Sequence, residues 1–150
     1  MSVFLDTNIV IDALANRTPF DESAKKLIFL SQIGEVEAWC GSSQFTDFHY
    51  ILSCTEAGAN SEELIEVLKD FRGKIKVCSL TEEDVDKALG SGWKDFEDAC
   101  LFSMATRVDA DYIITRNKAD FEGGLIPVVD CDEFFAALEE QGIIYEEITF

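Results

Sequence analysis

A chain of 150 residues is about one domain long, and a domain of that size buries on the order of 70% of the surface its unfolded form exposes. Hydrophobic residues make up 47% of it, against 9 glycines and 2 prolines, which excludes a mainly disordered or low-complexity protein. The 12 Lys and Arg face 30 Asp and Glu, a formal charge of -18 that excludes a protein holding nucleic acid mainly through a broad basic surface.

In chain order, Val3 to Asp6 reads as a strand whose apolar run ends in Asp6-Thr7-Asn8 before apolar residues resume at Ile9. A helix starts at Asp21, carries Ala24, Leu27, Ile28 and Ser31 at helical spacing, and ends near Gly34. Val36 to Cys40 is the next strand. Residues 42–54 form a helix with Phe45, Phe48, Ile51 and Leu52 on one face, and residues 60–71 a second, opened by Asn60 or Ser61. Ile75 to Cys78 is a short strand. The following helix has Thr81 as its cap and Gly90 at its end. Residues 94–108 are helical with Phe96, Ala99, Phe102 and Ala105 inward. Tyr112 to Thr115 and Ile126 to Val129 are strands, Pro127 marking the latter as an edge or strand start. Residues 131–142 close with a helix, and residues 143–150 add an edge strand or an arm.

Strands separated by helices imply crossover connections, hence an α/β fold with a parallel sheet of about five strands covered on both faces. No linker or repeat divides it, so the expectation is one domain over residues 1–150. With no apolar run near ~20 residues and no signal-peptide start, a soluble cytoplasmic protein is expected, without membrane contact. The cysteines Cys40, Cys54, Cys78, Cys100 and Cys131 are scattered and read as reduced core thiols; with His49 alone, no Cys/His zinc spacing exists. Glu62, Glu63, Glu66, Glu82, Glu83, Asp84, Asp86, Glu139 and Glu140 read as solvated helix charges.

Other acids fall where ligands bind in such folds, outside the carboxyl ends of parallel strands. Asp6 ends the first strand, with Thr7 and Asn8 beside it. Asp47 lies near the start of the helix after the second strand. Asp95 and Asp98, three apart, share one helix face. Thr115 ends a strand, and Arg116, Asn117 and Asp120 lie in the loop that leaves it. Each acid also has a plainer role: Asp6 as a helix cap, Asp47 and Glu97 as solvated helix residues, Asn117 and Asp120 as a turn. For Asp95 capping is the expected role, with Asp98 the inward ligand. If Asp6, Asp47, Asp98 and Asp120 converge, unit charges about 4 Å apart repel by about 4 kcal/mol at an effective dielectric of 20, and a cation must offset it. Oxygen-only ligands select Mg²⁺ or Mn²⁺, and the chemistry such an ion suits is phosphodiester hydrolysis. A dehalogenase-like phosphatase would need DxD, which Asp6-Thr7-Asn8 does not offer.

The segments FLDTNIVIDAL, DFEDACLFSMA and YIITRNKADF, in that order and spacing, resemble the PIN domain family, in particular the VapC-like toxin nucleases of prokaryotic toxin–antitoxin modules. The resemblance covers nearly the whole chain. It implies an α/β/α sandwich and a Mg²⁺- or Mn²⁺-dependent endoribonuclease, with Asp6, Asp98 and Asp120 at family acid positions, Asn117 as polar neighbour, and Asp95 as an accessory acid. The family's second acid is a Glu; Asp47 stands at that position, one methylene shorter. The resemblance further implies a homodimer and an antitoxin partner. Lys25, Lys26, Lys94, Arg107, Arg116 and Lys118 are the cations available for a local basic rim against RNA. The alternative is a PIN-fold binding or scaffold module with little or no catalysis, which the charge of -18 and Asp47 favour.

Overall fold

The computed structural model describes residues 1–55, 60–121 and 123–145. Strand β1 (Ser2–Leu5) leads into helices α1 (Thr7–Leu14) and α2 (Asp21–Gln32), and β2 (Glu37–Gly41) into α3 (Gln44–Ser53) and α4 (Ser61–Arg72). Strand β3 (Lys76–Cys78) precedes α5 (Glu82–Gly90) and α6 (Phe96–Arg107); β4 (Tyr112–Ile114), a 3-10 turn at Lys118–Phe121, β5 (Val128–Val129) and α7 (Cys131–Glu140) follow. Among the described residues the sheet has five strands in the order β3-β2-β1-β4-β5, every pair parallel. This is the expected α/β/α sandwich.

Alternation along β1 decides the layers, since successive side chains point to opposite faces. Val3 and Leu5 join a core with Ile9 and Val10 of α1, Leu27 of α2, Phe48 of α3, Phe71 of α4 and Phe134 of α7. Phe4 faces the other way, onto Leu101, Met104 and Ala105 of α6. Five helices therefore cover one face, while α6, backed by α5 through Ala88 against Ala99 and Cys100, covers the other. Fully burying a large apolar side chain contributes about 1.5–3 kcal/mol, so Phe4, Phe48, Phe71 and Phe134, each shielded from solvent, are principal anchors. Phe45, Phe48 and Phe71 pack with ring centroids 5.2–5.9 Å apart and fasten α3 to α4.

Local signals start several helices as expected. Asn60 Oδ1 accepts from the Glu63 N–H at 2.9 Å to open α4, and Thr81 forms a capping box with Asp84 to open α5. Pro127 lies just before edge strand β5, which is shorter than the expected Ile126–Val129. In helix α1, Ile9 to Ala13 are all buried, while Thr7, Asn8 and Leu14 are half-buried. Residues 143–145 form no strand, and 146–150 lie outside the described residues.

Three expectations need correction. Phe96, expected to point inward from α6, is exposed at the first position of that helix. Asp84 is not solvated: its side chain is buried, accepting from Arg107 Nη2 at 2.8 Å and Ser103 Oγ at 2.8 Å. Burial works to raise its carboxyl, and the donors Arg107, Thr81 and Ser103 overcome that and hold it well below the usual carboxylate range. Cys54 is exposed, so core thiols describe the other four cysteines; all five are unpaired. No helix among the described residues is long and apolar enough to cross a membrane.

Candidate metal centre

The strand order reverses between β1 and β4: the chain builds outward to β2 and β3, then returns to β1's other side for β4 and β5. Such a switch point opens a crevice at the strands' carboxyl ends, and Asp6 and Thr115 stand there. The Asp6 N–H donates to Ile114 O at 3.0 Å, carrying the β1–β4 ladder to its last position. One carboxylate oxygen of Asp6 accepts from the Thr7 N–H at 2.7 Å; the other accepts from Thr115 Oγ1 at 2.7 Å and Asn8 Nδ2 at 3.2 Å. Asp6 thus caps α1 and faces the crevice at once; the plainer role and the ligand role coexist. Asn8 also accepts from the Arg116 N–H at 3.3 Å, and Thr115 from the Asn117 N–H at 3.0 Å, so the loop after β4 is fastened to the end of β1.

A buried latch that the sequence did not announce lies beneath. Gln44 Oε1 accepts from the Gly41 N–H at 2.6 Å, and its Nε2 donates to Leu5 O at 3.0 Å and Thr7 Oγ1 at 3.3 Å. It locks the end of β2 to the residues flanking Asp6. Its signal would have been a glutamine three residues after a strand's end, which is too common to single out.

Across the crevice, Asp95 caps α6 as expected, its Oδ1 accepting from the Asp98 N–H at 3.0 Å. Asp98 is buried, and its carboxyl is pushed up to about 7 by burial first and then by Asp6, Asp95, Asp120 and Glu97. Burial likewise raises Asp6, against the pull of Thr115 and the Thr7 N–H; Asp120, exposed on the 3-10 turn, and Asp95 raise it further. Asp6, Asp95, Asp98 and Asp120 therefore stand within one another's fields. Asp47, half-buried on α3, meets a different acid. Glu97 is exposed, as expected, yet its carboxyl is raised by partial desolvation, then by Asp47, Asp6 and Asp95, and so links Asp47 to the rest. Glu97 is the acid that sequence reasoning set aside; its place beside Asp98 was the available signal.

Among the described residues no three acids already form a group close enough to enclose a metal ion. The donor set nonetheless fits a hard cation: it offers carboxylate oxygens without Cys or His, and Asp98 accepts no hydrogen bond from any described residue. Mg²⁺ is held through one or two carboxylates and keeps most of its waters, so an enclosing cage is not required.

The expected basic rim does not assemble. Arg116 Nε and Nη2 bind the two oxygens of fully buried Asp12 at 2.7 and 3.0 Å, with the guanidinium 4.3 Å from the Phe20 ring centroid. Lys118 pairs with Glu133 at 2.6 Å, Lys25 with Asp21 at 3.0 Å, and Arg107 with Asp84, while Lys26 donates to Tyr145 O. These cations are engaged away from the crevice, all but Lys26 by carboxylates. Lys94 forms no ion pair among the described residues and lines a cleft of about 400 Å³ with Gly92, Trp93, Asp95, Ala119 and Asp120.

A family model described as a PIN domain matches residues 2–119. The chain belongs to the PIN domain family. Solved structures share this PIN fold. VapBC2 from Rickettsia felis, bound to a DNA fragment from its promoter, has a chain 16% identical at a TM-score of 0.62, with 87% of this chain and 98% of that one covered. VapC20 from Mycobacterium tuberculosis, described as a sarcin-ricin loop cleaving toxin, is 13% identical at a TM-score of 0.58, covering 74% and 86%. A toxin–antitoxin complex from Klebsiella pneumoniae gives 18%, 0.62, 86% and 97%. No curated protein sequence matches significantly. At these identities the likeness establishes the PIN fold.

Proposed function

We propose that this PIN-domain protein is a Mg²⁺- or Mn²⁺-dependent endoribonuclease, the toxin of a toxin–antitoxin pair, acting as one domain over residues 1–150 in the cytoplasm. The observation that carries the reading is the meeting of Asp6, Asp95, Asp98 and Asp120 in one field at the β1–β4 switch point. Asp6 and Asp98 are the direct ligands, Asp120 and Asp95 complete the negative rim, and Asp47 acts with Glu97 from the α3 side. When bound, the ion supplies positive charge against the scissile phosphate and makes water more acidic. Thr115, Asn8 and the Thr7 N–H fix the Asp6 carboxylate in one orientation, so little reordering accompanies ion binding. Asp95 sets the first turn of α6 and with it the Asp98 backbone. Arg116 positions the loop carrying Asn117 and Asp120 by its grip on Asp12.

The VapBC and toxin–antitoxin neighbours support an antitoxin partner, and an acidic crevice suits a basic side chain from it. A homodimer follows the same family pattern. The -18 charge and the shorter Asp47 favour the second reading, a PIN module that binds without cutting. The test is hydrolysis of a panel of structured and single-stranded RNAs with Mg²⁺ or Mn²⁺. Cleavage abolished by EDTA and by Asp98→Asn supports the enzyme; pure protein that cuts nothing and shows no Mn²⁺ binding by calorimetry refutes it.

A further inference from the structure

The cleft beside the acids has an aromatic wall. Trp93 lines it together with Lys94, Asp95 and Asp120, and also lines a second cavity of about 510 Å³ between α5 and α6 with Ala99 and Phe102. The indole is braced from behind: its ring lies 5.0 Å from Phe102 and 5.9 Å, edge-on, from Phe121. Phe102 is itself confined, because a Cβ at Gly124 would stand 2.4 Å from its Cε2. The Trp93 N–H donates to Ser91 Oγ at 3.2 Å, after the left-handed turn at Gly92, so the loop holds the residue in place. No described residue accepts from the indole N–H.

An indole with open space along it, a free N–H, an unpaired lysine next in sequence and two site acids across the cleft match the needs of a nucleotide unit. A base stacks on an aromatic face at about 1–3 kcal/mol whatever its identity, and an ammonium meets the backbone phosphate. A cleft of about 400 Å³ falls in the range that takes one small ligand unit. The arrangement also addresses the charge: with most of its other cations committed, the chain holds an anionic polymer through stacking more than through basic surface.

We propose that Trp93 is a base-stacking platform for the nucleotide next to the scissile phosphate, with Lys94 contacting that nucleotide's phosphate. The proposal rests on the ribonuclease reading for its substrate but on different residues for its test. Trp39 is the chain's other tryptophan, so a Trp39→Phe background leaves Trp93 as the reporter. Short single-stranded oligoribonucleotides are titrated in EDTA, where no hydrolysis proceeds, and again in Ca²⁺, which neutralises the acids.

Saturable quenching of the indole is expected, and Trp93→Leu, which keeps apolar packing on Phe102, should raise KM about 10–100-fold with kcat nearly unchanged. Trp93→Phe should restore most of the loss, and Lys94→Ala should weaken binding and flatten its salt dependence. Absence of quenching in both buffers, or a Trp93→Leu protein with wild-type KM, overturns the platform while leaving the nuclease reading standing. Quenching by RNA in a protein that never cleaves supports the platform and removes the nuclease reading.

Discussion

Replacing Asp98 by Asn should stabilise the metal-free protein at alkaline pH even as it removes activity. The native carboxyl sits at about 7 rather than its ordinary 3.8, through burial and then Asp6, Asp95, Asp120 and Glu97. The folded form therefore binds this proton more tightly than the unfolded chain, and stability is lost as pH rises from about 4 through 7. At full strength the penalty approaches about 4 kcal/mol; water in the open cleft screens it to about 1–2 kcal/mol. Asparagine never ionises, so at about pH 8 in EDTA the variant should melt roughly 2–8 °C above wild type, from about 2–4 °C per kcal/mol at this size. The gap should shrink by roughly half or more at about pH 5 and vanish near pH 3.5. Saturating Mn²⁺ reverses the order, since a ligand at a hundred times its Kd adds about 2.7 kcal/mol to wild type alone. Thermal and urea unfolding across pH measure all of this. A variant less stable than wild type in EDTA at about pH 8, or a difference that ignores pH, would refute the mutual field of the crevice acids.

Breaking the buried pair by Arg116→Ala should cost about 3–5 kcal/mol in urea unfolding, because Asp12 is then left charged without solvent. Asp84→Asn should destabilise at neutral pH, and its deficit should close as pH falls below the ordinary carboxylate range, since a depressed carboxyl contributes only while ionised; parallel curves would contradict this. Gln44→Leu should cost about 1–3 kcal/mol by stranding the Gly41 N–H and Leu5 carbonyl, read by chemical denaturation. Glu97→Gln and Asp47→Asn should each weaken Mn²⁺ about 10–100-fold in calorimetry as outer carboxylates; unchanged affinity in both would separate α3 from the site.

Elements with local chemistry were readable from the sequence. The Asn60, Thr81 and Asp95 caps need only residues three positions on, and the run Val3-Phe4-Leu5 announces a buried strand before Asp6. Helix α1 is only eight residues long and follows Asp6 directly, so its apolar residues read as a continuation of the strand. Asp84, Asp12 and Gln44 were illegible for another reason: a carboxylate on a helix looks solvated until its partner, Arg107 or Arg116, arrives from far along the chain. Arg116 and Lys118 looked like substrate contacts for the same cause, since sequence shows a charge but not its prior commitment. Asp47 and Glu97 show the limit at the site itself, where motif position suggested one acid and the folded chain brings Glu97 into the field of Asp47.

The bond from Thr115 to Asp6 spans 109 residues of chain. Contacts of such separation close late, because the entropy of the intervening loop must be lost first. A chain emerging from the ribosome thus carries Asp6 well before Asp98, the Thr115 hydroxyl and Asp120 have been made. Synthesis itself keeps the crevice unassembled, and a cell making this protein meets a finished site only after the domain has folded.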